Sequence, residues 1–239
     1  DVPAVIVTAP PQQFTDENQG RPFGGQTPGF TIQDTGGGNG LDTLVVDIAA
    51  VNGTVAVDPA AVGQFGVSVV GNSTGPSVRL LGPSGQVTRF FNANKAPAFQ
   101  FDPAAFYSGD ARVSVTGTNT STQETGSAIG SVGVLPVAQP PIVNIPATII
   151  GPTETPFQVP IQVTAADPDG SETIDFVDLT GFPAGSVFSA GAPTQGGTVW
   201  RIAPSALGGL SILVPAGAID GFTLTATAQV TDAATITGR

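Results

Sequence analysis

The sequence repeats itself, and this repeat limits the folds that the chain can adopt. Two groups of positions recur, the first at an offset of 137 residues and the second at an offset of 112. The positions in the first copy are Pro3, Val5, Glu17, Pro103, Ala104 and Gly109, and their counterparts are Pro140, Ile142, Glu154, Pro215, Ala216 and Gly221. A repeated unit of this size is typical of a modular array and disfavours an enzyme with a single site.

The length of 239 residues fits two domains of about 110–135 residues, each able to bury a core. We place the boundary in the proline-containing stretch 137–141, which gives domains at 1–138 and 139–239. The second copy ends about one strand short of the first, judged by the region Ile129–Val134. We therefore expect the natural polypeptide to continue into further repeats.

Apolar residues alternate with polar ones at a period of two, which predicts an all-β fold of antiparallel sandwiches. The alternation is seen in Leu44–Ile48, Val67–Val69, Val113–Val115 and Phe222–Val230. Asn52-Gly53 predicts a hairpin turn, because both residue types tolerate positive φ. No stretch of 12 residues has a helical period free of Gly or Pro. Single helical turns are predicted at Pro59–Val62, Pro103–Phe106 and Pro204–Leu207, with Asp58 and Asp102 as caps of the first two.

The charge and the residue types that are missing exclude several functions. The chain has no His, no Cys and one Lys, so the usual general bases, thiol nucleophiles and transition-metal ligands are absent or scarce, and we predict that it is not an enzyme. A net charge of −11 repels phosphate backbones and disfavours nucleic-acid binding. No apolar run reaches the roughly 20 residues of a membrane span, so we expect none.

Acidic residues cluster in the second copy. Asp167, Asp169 and Glu172 lie within six residues, and Gly170 permits a sharp turn between them. Ca²⁺ takes oxygen ligands of this kind. In a sandwich, Glu154 and Asp232 can reach the same end of the domain, beside the connection. The other interpretation is an ordinary solvated turn, because Asp, Gly and Ser are common turn formers.

The first copy lacks the Asp-x-Asp-Gly order, and its candidate ligands are Asp34 and Asp42, joined by Glu17 and Asp16. The segment 37–45 matches the nine-residue motif of Ca²⁺-binding β-rolls. A roll binds Ca²⁺ between successive turns, so a single copy favours a Gly-rich connection instead.

Several runs together resemble the cadherin-like, immunoglobulin-like repeats of large RTX-type bacterial adhesins, which are exported by type I secretion. In the second copy they are Gly151–Phe157, Ala165–Thr173, Gly181–Gly185, Thr198–Ile202 and Gly221–Ala228, and in the more divergent first copy Val51–Val57 and Pro103–Gly109.

The resemblance implies two tandem immunoglobulin-like domains in an extracellular or cell-surface extender that has a role in adhesion. It also implies Ca²⁺ held at the joints between repeats by Glu154, Asp167, Asp169, Glu172 and Asp232, with neighbouring repeats of the same chain as partners. An alternative is a self-assembling surface-layer or filament subunit that forms homo-oligomers by strand addition. A second alternative is an accessory glycan-binding module of an extracellular enzyme that uses Trp200, although a single Trp among apolar neighbours is more often a core residue.

Overall fold

The structure is a computed structural model, and it describes residues 5–35, 41–93, 97–218 and 221–238. The chain divides into two compact units. The first unit comprises Asp1–Pro136 together with Ala234–Arg239, and the second comprises Val137–Ala233. The predicted domain limits, 1–138 and 139–239, stay a prediction, since compactness alone does not show that a unit folds independently.

The first unit contains twelve described strands and two short helices. They are β1 (Val5–Thr8), β2 (Gln13–Asp16), β3 (Arg21–Phe23), β4 (Thr31–Asp34), β5 (Thr43–Val51), β6 (Gly53–Ala56), α1 (Pro59–Gly63), β7 (Ser68–Val70), β8 (Thr74–Gly75), β9 (Ser77–Pro83), α2 (Ser84–Phe91), β10 (Phe99–Pro103), β11 (Gly109–Asn119) and β12 (Thr125–Leu135). The strands form sheets in the orders β2-β12-β11-β5-β9-β7, β3-β10-β6-β8 and β1-β4.

The second unit contains nine described strands and two 3₁₀ turns, at Gln195–Gly197 and Pro204–Ala206. The strands are β13 (Ile142–Asn144), β14 (Phe157–Gln158), β15 (Gln162–Thr164), β16 (Glu172–Thr180), β17 (Val187–Phe188), β18 (Ala192–Thr194), β19 (Val199–Ile202), β20 (Ser211–Leu213) and β21 (Thr225–Asp232). Their sheets have the orders β18-β19-β16-β21, β14-β20-β17 and β13-β15.

The protein is all-β, which confirms the fold class predicted from the alternating sequence. Strand pairs in the described residues are antiparallel with one exception, since β2 runs parallel to β12. Each unit has one apolar core between its sheets: Phe23, Phe30 and Phe99 pack together in the first, and Phe182, Phe188 and Trp200 in the second. Among the described residues, no helix has the length and apolar character that a membrane span requires.

Asn52-Gly53 does not form the predicted hairpin turn. Asn52 has the expected positive φ of 62°. However, β5 before it pairs with β9 and β11, whereas β6 after it pairs with β8 and β10 in the other sheet. The dipeptide is therefore a corner between two sheets. Glycine is needed at position 53 for close packing, because a Cβ there would lie 2.4 Å from the Asp102 carbonyl oxygen.

The helical-turn predictions have mixed outcomes. Helix α1 begins at Pro59, and the Asp58 side chain accepts a hydrogen bond from the Ala60 backbone N–H at 2.8 Å, so this cap is confirmed. The segment after Pro103 is a turn rather than a helix, and Asp102 lies within β10 instead of capping. Helix α2 was not predicted, because eight residues are too few to show a helical period.

The two units share a three-strand ladder with the same three residue types. In the first unit Asp47 of β5 lies between Thr116 of β11 and Arg79 of β9, and in the second unit Asp178 of β16 lies between Thr227 of β21 and Arg201 of β19. Both Asp–Arg pairs are bidentate, with shortest N···O distances of 2.7 Å. Strand β16 therefore corresponds to β5, and β21 corresponds to β11.

The terminal residues from Ala234 onward complete the first unit. The Thr237 backbone N–H donates to Asp110 at 2.9 Å, and its hydroxyl donates to the same carboxylate. The Gln12 side-chain amide donates to the Thr237 carbonyl oxygen at 2.8 Å. These hydrogen bonds from Thr237 lower the pKa of Asp110.

Replacing Leu179 by Ala tests the core of the second unit. Leu179 is fully buried in the central strand β16, so we expect a loss of about 2–5 kcal/mol in the free energy of unfolding. Trp200 is the only tryptophan and lies in the same core, so its fluorescence during urea unfolding reports on this unit. The control Val187→Ala removes a half-exposed side chain and should change stability by less than about 0.5 kcal/mol. Equal effects of the two variants would contradict this core assignment.

Candidate metal centre

The acidic segment of the second unit is a tight loop between β15 and β16. Gly170 has a φ of +86°, and nothing lies within 4 Å of a Cβ placed there, so backbone conformation rather than space favours glycine. Glu172 is the first residue of β16 and lies opposite Asp232, the last residue of β21. The loop and the two strand ends therefore bring Asp167, Asp169, Glu172 and Asp232 to one end of the unit.

Hydrogen bonds from the backbone orient these carboxylates. Asp167 accepts from the Asp169 N–H at 2.9 Å, and Asp169 accepts from the Ser171 N–H at 2.7 Å. Glu172 accepts from the Asp167 N–H at 3.1 Å and also from the Gln139 N–H. The side-chain positions are thus set by the chain around them.

Some of the carboxylate oxygens are buried and have no hydrogen-bond partner. Asp167 is only 5% exposed, and its Oδ2 atom has no hydrogen-bond donor among the described residues. Both carboxylate oxygens of Asp232 are in the same situation, and one of them lies within 4.8 Å of an Asp167 oxygen. Buried polar atoms are normally satisfied, so these oxygens are free to accept a cation or a further hydrogen-bond donor.

The cluster concentrates negative charge around Asp167. Burial raises the pKa of Asp167, and the nearby carboxylates of Asp169, Glu172 and Asp232 raise it further, against a lowering by the Asp169 N–H. Arg201 is the only basic residue between Val137 and Ala233, and it is paired with Asp178. No basic side chain within the described part of this unit therefore neutralises the cluster.

A hard cation fits this donor set. Ca²⁺ takes six to eight oxygen ligands from carboxylates, carbonyls and water, and the cluster offers carboxylate oxygens without nitrogen or sulfur. Asp167, Asp169, Glu172 and Asp232 are the side chains that would hold it. Of the five ligands that the family resemblance implies, the second unit brings these four together.

Glu154 does not belong to the cluster, and this part of the prediction is wrong. Its side chain is exposed, and its backbone N–H donates to the Val214 carbonyl oxygen at 2.8 Å. Its neighbour Thr153 lines the same cavity as Gly221–Leu224, which directly precede β21, whereas Asp232 is the last residue of that strand. A strand of eight residues separates its two ends by more than about 20 Å.

The acidic residues of the first unit meet an amide instead. Asn119, at the end of β11, is fully buried and donates from Nδ2 to Asp34 at 2.9 Å; the Asp42 carboxylate lies 3.5 Å from the same nitrogen. Its Oδ1 accepts from the Ser121 and Thr122 N–H groups, which fixes the amide orientation. Asn119 was missed because an Asn before Thr and Ser is also an ordinary turn signal.

The predicted grouping of Glu17 and Asp16 with Asp34 and Asp42 is wrong. The Glu17 N–H donates to the Leu135 carbonyl oxygen, and Leu135 lies beside the Gly109 end of β11. Asp34 and Asp42 lie at the Asn119 end, about 30 Å away along an eleven-residue strand. Of the β-roll match at 37–45, positions 37–40 lie outside the described residues, and Thr43–Val45 begin β5.

Trp200 is a core residue. It is 8% exposed, its indole N–H donates to the Ala190 carbonyl oxygen at 2.8 Å, and its ring packs against Phe182 and Phe188. It offers no exposed ring face for stacking on a sugar.

Comparisons with known proteins add little to this description. No family model matches the chain, and no curated protein matches it. Among solved structures it is similar to the C-terminal domain of the antigen I/II-family protein AspA from Streptococcus pyogenes, with 9% identity, a TM-score of 0.35 and coverage of 98% of this chain and 92% of the other. A chimeric titin Z1Z2 (14% identity, TM-score 0.22, coverage 99% and 98%) and bovine butyrophilin (10%, 0.23, 96% and 97%) are also similar. These TM-scores are too low to carry an argument about function.

Replacing Asn119 tests the amide at the acidic end of the first unit. Asn119→Ala leaves the Ser121 and Thr122 N–H groups without their acceptor, so we expect a loss of about 1–3 kcal/mol in the free energy of unfolding by calorimetry. Asn119→Asp keeps an acceptor but adds a third carboxylate, so its loss should be larger at neutral than at acid pH. A near-neutral result for both, matching the half-buried control Thr118→Ala, would contradict the role.

Asp167→Asn tests the raised pKa in calcium-free buffer. As pH rises above about 4, the unfolded chain releases the Asp167 proton first, while folded Asp167 retains it. The tighter proton binding of folded Asp167 therefore stabilises the fold at low pH. This stabilisation is lost as pH rises through the raised pKa of the folded state. We expect Asp167→Asn to unfold at higher urea concentration than wild type at neutral pH and at a similar one below about pH 4.

The Asn side chain can still accept from the Asp169 N–H, so the variant isolates the charge. The control is Asp175→Asn, which changes an exposed carboxylate in β16 and should give no such gain. If Asp167→Asn is less stable than wild type at neutral pH, the negative charge of Asp167 does not destabilise the folded protein.

Proposed function

We propose that the chain is a non-enzymatic structural module of a secreted or surface-attached bacterial protein, in which bound Ca²⁺ stabilises the fold of the second unit. The observation that carries this proposal is the set of four carboxylates at one end of that unit. Asp167 and Asp232 present buried oxygens without hydrogen-bond donors, and the only basic residue of the unit is engaged elsewhere. A divalent cation would neutralise this charge and complete the contacts of those oxygens.

The extracellular setting and the extender role are supported by the sequence. The resemblance to tandem repeats of large adhesins implies a chain of β-sandwiches whose stiffness depends on Ca²⁺. Millimolar calcium outside cells suits sites of modest affinity built on exposed modules. A chain without His or Cys has few groups for acid–base or nucleophilic catalysis, which favours a mechanical role.

Calcium titration tests the proposal directly. Calorimetric melting in calcium and in EGTA should show a higher melting temperature with calcium. The gain in the free energy of unfolding is about 2.7 kcal/mol when free calcium is 100 times its dissociation constant. Small-angle scattering in the same buffers should show a more extended or less variable particle with calcium. Identical melting curves together with unchanged dimensions would rule the proposal out.

Variants localise the effect to the cluster. Asp167→Asn and Asp232→Asn should each lose most of the calcium-dependent shift, whereas Asp175→Asn should keep it. Glu154→Gln should also keep it, because Glu154 is separated from the cluster. A shift that survives in Asp167→Asn and Asp232→Asn would mean that calcium acts at other carboxylates.

A second candidate function is a self-assembling filament or surface-layer subunit. It is favoured by the position of β21, which is the last strand of its sheet and has one strand partner among the described residues. Such an edge can pair with another chain. Electron microscopy of the native assembly distinguishes the two candidates, since ordered fibres or lattices favour self-assembly.

A further inference from the structure

Three segments of the first unit have the Asn-x-Ser/Thr order that N-linked glycosylation requires. They begin at Asn52, Asn72 and Asn119. In this modification a sugar is joined to the side-chain amide nitrogen of the Asn, on a surface loop of a secreted protein. Such triplets arise by chance in a chain rich in Ser and Thr, so the structure must decide which of them an enzyme can reach.

Asn119 is not accessible to a transferring enzyme. Its side chain is fully buried, and its Nδ2 atom donates to the Asp34 carboxylate at 2.9 Å. Its Oδ1 atom accepts from the Ser121 and Thr122 N–H groups, so the triplet is folded into a turn around its own amide. A sugar on this nitrogen would have to replace a buried hydrogen bond.

Asn52 is exposed, but the atom that would carry the sugar is already engaged. Its Nδ2 atom donates to the Tyr107 hydroxyl at 2.7 Å and to the Asp110 carbonyl oxygen at 3.0 Å. The third residue of its triplet, Thr54, lies in β6 and is paired with Asp102 of β10. Modification there would break the side-chain contacts at this sheet corner.

Asn72 lies in the short loop between β7 and β8, and it is open to solvent. Its side chain makes no hydrogen bond with the described residues, and the side chain of Thr74 is also exposed. Gly71 before it has a φ of +84°, and nothing lies within 4 Å of a Cβ placed there. Of the three acceptor triplets, this one presents both its amide and its hydroxyl.

The loop joins the outer edges of two sheets. Strand β7 is the last strand of the six-stranded sheet and pairs with β9, whereas β8 is the last strand of the four-stranded sheet and pairs with β6. Val70, at the end of β7, is 47% exposed. Open edges of this kind can pair with other chains. A bulky, hydrophilic group on Asn72 would stand beside both edges and hinder such pairing.

We propose that Asn72 is an acceptor for N-linked glycosylation, whereas Asn52 and Asn119 are not. The donor is a glycosyl diphosphate, which is a sugar whose anomeric carbon is bonded to a diphosphate oxygen. The Asn72 Nδ2 atom forms a bond to that carbon and loses one proton. The bond from the carbon to the diphosphate oxygen breaks, and the diphosphate leaves with the electron pair. This site does not depend on the proposed calcium function.

Mass spectrometry of the protein secreted by its native host tests the proposal. Chymotrypsin cleaves after Phe65 and trypsin cleaves after Arg79, which yields the peptide Gly66–Arg79 with a single Asn. We expect this peptide to carry one or more sugars, and electron-transfer fragmentation to place them on Asn72. A single sugar indicates a nucleotide-activated donor, whereas an oligosaccharide indicates a lipid-linked one. The peptides that contain Asn52 and Asn119 should have their unmodified masses.

Variants produced in the same host check the triplet. Asn72→Gln and Thr74→Ala should each abolish the modification, and both change exposed residues, so folding is little affected. Thr74→Ser keeps the hydroxyl and should keep the sugar. The matched control Ser73→Ala changes the middle residue, where the motif accepts any residue except Pro, and should also keep it.

Either of two results would overturn the proposal. One is a Gly66–Arg79 peptide from the native protein that has only its unmodified mass. The other is a sugar that persists in Asn72→Gln, because it would then be attached to a Ser or Thr hydroxyl or to another Asn.

Discussion

The backbone of a central strand needs hydrogen-bond partners on both sides, and each unit is organised around one strand that has them. Strand β5 lies between β9 and β11, and β16 lies between β19 and β21. In both units the partners hold the same Thr–Asp–Arg row across three strands. This pairing fixes the register, and the register decides which side chains enter the core and which acidic residues reach the end of the sheet.

The acidic residues at the same end of the sheet have different neighbours in the two units. In the first, the buried amide of Asn119 donates to Asp34, and two backbone N–H groups prevent the amide from turning over. In the second, the carboxylates of Asp167 and Asp232 face each other without such a donor. The two units thus differ in whether a side-chain amide or only neighbouring carboxylates surround the acidic residues at this end.

Much of the fold was predictable because alternation is a local property. Leu44–Ile48 and Val113–Val115 show it, and both lie in long strands. Alternation does not reveal which sheet a strand joins, so the sequence at Asn52-Gly53 predicts a hairpin although the flanking strands belong to different sheets. The acidic loop was predictable for the same local reason, since Asp167–Glu172 is contiguous. Glu154 and Asn119 depend on the path of the chain over longer distances, which spacing alone does not give.

The return of the chain end to the first unit has an entropic consequence. The chain leaves the first unit at Pro136 and rejoins it at Ala234, where Thr237 is held by Asp110 and Gln12. While those hydrogen bonds last, an unfolded second unit is a closed loop instead of a free tail. Closing a loop of that length removes on the order of 4 kcal/mol of conformational freedom from the denatured state. The benefit is limited by the free energy with which the short terminal segment docks, so a few surface hydrogen bonds set the upper bound on this restraint.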